Sequence, residues 1–66
     1  MNHQETLRSL ITINPDILGG EPVFKGTRVP IRTLFEYIQR NYTLEEFLEY
    51  FPTVPENAAL KLLGEI

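Results

Sequence analysis

The sequence predicts a mainly α domain: a three-helix bundle of helix-turn-helix type preceded by a short two-stranded β element. Three observations carry this. Three segments repeat apolar residues at i, i+3, i+4 and i+7, the spacing of one helical face. Two apolar, strand-like stretches stand ahead of them, at Leu10–Ile13 and Pro22–Phe24. The run "GGEPVFKGTRVP" (Gly19–Pro30) holds three of the four glycines and two of the five prolines, so the chain turns sharply there.

Residues 1–9 read as a flexible leader, and residues 10–66 as one small domain. "LITI" (Leu10–Ile13) is β-branched and apolar and is expected to be a strand. Asn14-Pro15-Asp16 is turn chemistry, because proline presets φ while Asn and Asp bond to nearby backbone. Gly19 and Gly20 can adopt the positive φ that other residues resist. "PVF" (Pro22–Phe24) is the second strand, paired with the first. The eight residues from Asn14 to Glu21 are too many for a two-residue hairpin turn. Pro22, Gly26, Thr27 and Pro30 join Gly19 and Gly20 as the structural residues of this corner.

Pro30 suits the first helical position, where its missing N–H is not needed. Ile31, Leu34, Phe35 and Ile38 form the first apolar face, and Asn41 is a reasonable stop. "TLEE" (Thr43–Glu46) is a capping box that opens the second helix, with Tyr42 and Phe47 as its hydrophobic staple. Leu44, Phe47, Leu48 and Phe51 make the second face, and Pro52 ends it. "TVPE" (Thr53–Glu56) reads as a second capping box, with Pro55 in the first turn. Ala59, Leu62, Leu63 and Ile66 supply the third face. The last two helices, joined tightly around Pro52-Thr53, have the outline of a helix-turn-helix unit. Phe35, Phe47 and Phe51 are assigned to the core. Tyr37, Tyr42 and Tyr50 are expected to be partly exposed and, with Phe24, to cover a dimer interface.

Sixty-six residues bury only about 60% of the unfolded surface, so the stability of one copy is marginal. There is no cysteine to form a disulfide, and the single histidine, His3, does not make a metal site; no cofactor is expected. Extra stability is therefore expected from a homodimer, a higher homo-oligomer or a partner protein. The hydrophobic fraction of 42% and charged fraction of 23% suit a globular chain rather than a disordered one. No apolar run approaches a membrane span and the N-terminus lacks signal-peptide character, so a cytoplasmic location is expected. A net charge of −3 argues against nonspecific nucleic-acid binding.

Enzyme chemistry is poorly supplied. Lys25 precedes Gly26 and Thr27 follows it, an order that fails the phosphate-loop template Gly-x-x-x-x-Gly-Lys-Ser/Thr. The dinucleotide fingerprint is missing too. Ser9, His3 and Asp16 all lie at or before the first loop and assemble no triad. Glu45, Glu46 and Glu49 resemble paired acid–base carboxylates, but a solvated helix surface accounts for them more simply. A non-enzymatic role is expected.

The basic residues carry more. Four of six, Lys25, Arg28, Arg32 and Arg40, lie between positions 25 and 40, whereas the chain after Arg40 has five glutamates and only Lys61. The molecule is expected to be two-faced, positive at the strand–helix corner and acidic along the last two helices. These four residues are the candidates for binding a partner or nucleic acid. Alternatively, Arg28 pairs with Asp16 or Glu21 and only braces the corner, a contribution of roughly 0–1 kcal/mol. The third helix, with Glu56, Lys61 and Glu65, is a poor reader of a DNA groove by itself.

"INPDILGGEPVFKGTRVPI" resembles the signature of domain-of-unknown-function family 433: a strand, a Pro-Asp turn, Gly-Gly-x-Pro-Val, Lys-Gly-Thr-Arg and a hydrophobic-Pro pair, in that order. "TLEEFLEYFPTVPENAALKLL" is similar to that family's helical half, so the resemblance covers about residues 11–63. It implies a small, homeodomain-like helix-turn-helix bundle with an N-terminal β element. It also implies a prokaryotic antitoxin of a type II toxin–antitoxin module, whose usual partner is a PIN-like ribonuclease toxin, with operator DNA as a further partner. Such toxins hold metal among acidic residues, and an antitoxin can place a basic side chain there. In this chain the residues so implied are Lys25 and Arg28, with Arg32 next. The other reading left open is a dimeric protein–protein interaction module that binds no nucleic acid.

Overall fold

The computed structural model describes residues 9–64; the leader assigned to residues 1–9 lies outside them except for Ser9, as does Ile66 of the third face. Strand β1 (Ile11–Thr12) runs antiparallel to β2 (Val23–Phe24), with Ile11 opposite Phe24 and Thr12 opposite Val23. The first strand is shorter than Leu10–Ile13 because Leu10 is helical rather than extended and Ile13 leads into the turn. That turn forms as its residues dictate: the Asn14 side chain accepts from the Asp16 N–H at 2.8 Å, and the Asn14 carbonyl from the Ile17 N–H at 2.9 Å. A short 3-10 turn, Leu18–Gly20, then returns the chain to β2.

β2 is held on both sides. Val23 bridges to Pro30, the Phe24 N–H donates to the Val29 carbonyl at 3.0 Å, and the Ile31 N–H donates to the Pro22 carbonyl at 3.0 Å. This satisfied backbone lets Val23 and Phe24 be buried completely. Phe24, expected at a dimer interface, is instead a core residue. It is enclosed because β2 lies between β1 and the chain that leads into the first helix.

Helices α1 (Ile31–Gln39), α2 (Leu44–Tyr50) and α3 (Glu56–Leu62) follow. Pro30 is the cap of α1 rather than its first residue, because its ψ of 142° is extended. The Thr43 capping box is present in both directions: the Thr43 oxygen accepts from the Glu46 N–H at 3.1 Å, and the Glu46 carboxylate accepts from the Thr43 N–H at 2.9 Å. The second box, at Thr53, does not form. α3 starts at Glu56, with Pro55 as its cap and no side-chain cap bond. The reason is local: Val54 precedes a proline, which pushes it out of the helical region, so it cannot be the first residue of a helix capped by Thr53. Val54 turns into the core instead, 4% exposed.

The core gathers Phe24 from β2, Leu34 from α1, Phe47 from α2, Val54 from the connection, and Ala58 and Ala59 from α3. Phe47 joins the layers, with ring centroids 6.3 Å from Phe24, 5.7 Å from Tyr37 and 5.0 Å from Phe51. Each fully buried Phe or Leu contributes about 1.5–3 kcal/mol. Phe35 departs from expectation: it is 39% exposed, because Leu34 takes the inward position on α1 and Phe35 falls at the rim of the apolar stripe. Tyr42 packs its ring on Tyr37 and Tyr50 rather than as a staple on Phe47. No helix among the described residues is long and apolar enough to cross a membrane.

Candidate partner-binding site

Lys25-Gly26-Thr27-Arg28 is a tight turn between β2 and the residues that bridge back to it. Gly26 sits at φ +80°, a conformation an L side chain rarely adopts, so only glycine is unstrained there. Thr27 pins the turn from inside. Its N–H and its hydroxyl both donate to the Phe24 carbonyl at 2.9 Å, and the hydroxyl oxygen accepts from the Val29 N–H at 3.0 Å. The Lys25 N–H donates to the Leu10 carbonyl at 2.9 Å, which anchors the other arm. Lys25 and Arg28 thus stand exposed at the two ends of a fixed loop.

Arg28 lines an open cleft of about 580 Å³ together with Thr12, Ile17, Thr27, Val29 and Thr53. Lys25 faces a smaller recess of about 180 Å³, beside Pro55, Asn57 and Ala58 at the start of α3. Arg32 sits on α1, where it forms an ion pair with Glu21 at the edge of a third hollow. Arg40 caps the far end of α1, about 15 Å along the axis from Pro30 at 1.5 Å per residue. The structure therefore keeps Lys25 and Arg28 on one turn and sets Arg32 and Arg40 apart from it. Glu21 is taken by Arg32, and Arg28 has no carboxylate partner among the described residues. A bracing pair between Arg28 and Asp16 or Glu21 is not formed.

Sequence reasoning missed the walls of the Arg28 cleft. Thr12, Ile17 and Thr53 come from three separate stretches, and no local pattern joins them. Leu18 was missed as well. It is non-glycine at φ +50° and 52% exposed, and the following Gly19-Gly20 is its only cue. Glu45, Glu46 and Glu49 lie exposed on α2, and Glu46 is occupied by the Thr43 cap. Among the described residues no three acidic, His or Cys side chains are grouped to hold a metal.

A family model described as "Protein of unknown function (DUF433)" matches residues 11–64. An uncharacterized protein of Sinorhizobium fredii, y4eO, is 40% identical over 47 residues, which are 71% of this chain and 21% of that protein. The chain thus spans about a fifth of that relative's length. The crystal structure of a DUF433 member protein from Anabaena variabilis superposes with a TM-score of 0.69 at 28% identity, over 97% of this chain and 66% of that one. Here too the chain spans just under two thirds of the matched protein.

Proposed function

This chain belongs to domain-of-unknown-function family 433, and from that premise we propose that it is the antitoxin of a type II toxin–antitoxin module. It binds and neutralises a PIN-like ribonuclease, and the Lys25–Arg28 turn is the docking element. One observation carries this reading: Arg28 is exposed on a turn that Gly26 and Thr27 hold fixed, and it has no acidic partner of its own among the described residues. The turn fixes the backbone that carries Arg28, and the planar guanidinium fork matches carboxylates in pairs. The metal-holding carboxylates of a PIN-like nuclease are such a target. The Thr-lined cleft beside Arg28 supports the reading by giving the partner a concave surface to fill.

Operator DNA is a second partner in this reading. The exposed glutamates of α2 disfavour that helix against phosphates, so DNA contact falls to Lys25, Arg28, Arg32 and Arg40. The alternative is an interaction module without nucleic-acid binding, and the same acidic helix favours it.

Co-expression with the ribonuclease encoded beside it tests the first reading. The chain should co-purify with the nuclease and suppress its toxicity, and Arg28→Ala should lose both while remaining folded. Absence of a nuclease gene beside it, or full suppression by Arg28→Ala, contradicts it. A duplex titration at rising salt separates the DNA readings, because phosphate contacts weaken steeply with salt.

A further inference from the structure

We propose that the groove around Phe35 is the face through which two copies of this chain associate about a two-fold axis. The groove, about 490 Å³, is formed by Ile11, Pro22, Ile31 and Phe35, with Glu21 and Arg32 at its edge. Ile31 and Phe35 are four residues apart on α1 and so stack on one side of the helix. Phe35 is left 39% exposed although its size and character suit a core. Among the described residues seven are buried, four of them larger than alanine and fully enclosed. A chain of this length gains most from burying a further apolar face.

Charge selects the occupant. The described residues form two exposed aromatic faces, Phe35 on one side of α1 and the Tyr42–Tyr50 pair at the start and end of α2. An isologous contact sets the same surface against itself. At the tyrosine face this brings the exposed Glu46 and Glu49 of α2, which neighbour Tyr50 on the helix, toward their own copies, and like charges repel. At the Phe35 groove the rim carries one anion and one cation. A two-fold contact there can set Arg32 against the partner's Glu21, and Glu21 against the partner's Arg32, while the apolar floors meet. In the Arg32–Glu21 pair within one copy the arginine side chain is 68% exposed and the glutamate 27%, so the pair is partly solvated and exchanging it across the axis sacrifices little. The groove is self-complementary in charge and the tyrosine face is not.

This inference does not rest on the antitoxin reading, since self-association needs no ribonuclease. Sedimentation of the full chain from micromolar to submillimolar concentration tests it, with circular dichroism as the check on folding. The wild type should sediment as two 7.7 kDa chains. Phe35→Glu should raise the dissociation constant roughly tenfold or more and keep its helical signal. Arg32→Glu and Glu21→Arg should each weaken the dimer, and mixing the two variants should restore a heterodimer, because every rim pair is then opposite in sign. These two variants decide the matter even if Phe35→Glu fails to fold. Tyr50→Ala should leave the mass unchanged. A monomeric wild type, a dimer indifferent to the rim charges, or a dimer dissociated by Tyr50→Ala overturns the proposal.

Discussion

The Tyr42 ring packs 4.8 Å from the Tyr37 ring over the end of α1, and Asn41 makes this possible. Asn41 adopts φ +69°, which reverses the chain. The Tyr42 N–H then donates back to the Tyr37 carbonyl at 3.0 Å, and the Asn41 N–H to the Ile38 carbonyl at 3.1 Å. This is the Schellman arrangement, complete with its hydrophobic contact. One residue thus ends α1, delivers Thr43 to cap α2 and seats the tyrosine cluster.

Asn41 tolerates left-handed φ better than most residues, and glycine tolerates it best. Asn41→Ala is expected to lose about 1 kcal/mol, whereas Asn41→Gly should hold or gain stability. Urea midpoints at unchanged m compare the two. Equal losses in both variants would show that the asparagine side chain, not the backbone angle, matters there.

Thr43 and Thr53 look alike in sequence but only Thr43 caps a helix. Thr43→Ala should cost about 1 kcal/mol, within the usual range for a lost cap. Thr53→Ala should stay within about 0.5 kcal/mol of wild type. Thermal or urea denaturation of the pair checks this, and a larger loss at Thr53 would contradict the absence of a cap.

Thr27 closes the basic turn with a hydroxyl that both donates and accepts. Thr27→Val keeps the shape and removes both bonds, at a cost of about 1–2 kcal/mol. Amide exchange at Val29, whose N–H would lose its acceptor, should accelerate. Unchanged exchange there would show that the turn is held by other contacts.

Phe47 is fully enclosed and touches the rings of Phe24, Tyr37 and Phe51. Phe47→Ala should cost about 3–5 kcal/mol. For so small a domain that approaches the whole stability, and the variant should be largely unfolded by circular dichroism. Phe35→Leu, at the rim, should retain the fold. A folded Phe47→Ala would mean that the core is centred elsewhere.

Much of this fold was legible in the residues themselves. The helical spacings of α1 and α2, the Asn14 turn, the Thr43 box and the Asn41 stop are decided within a few positions by backbone chemistry, and all appear where the residues predict them, whereas α3 ends at Leu62, short of the full third face. The exceptions are instructive. Thr53 matches a capping pattern, but the proline two residues later forbids the helical angles that pattern needs. Phe35 matches a core stripe, but a stripe on one helix does not say how wide the neighbouring surface is.

The candidate site divides in the same way. The rigidity of the Lys25–Arg28 turn follows from Gly26 and Thr27, which act on atoms a few bonds away. The residues alone concentrate four cations, Lys25, Arg28, Arg32 and Arg40, between a glycine- and proline-rich corner and the end of the first of three short helices. Only the tertiary structure decided that Glu21 pairs with Arg32 and leaves Arg28 open, and that Thr12, Ile17 and Thr53 come together beside it. Those partners are distant in the chain. Their meeting depends on how strand, turn and helix pack, which no local preference of the separate segments encodes.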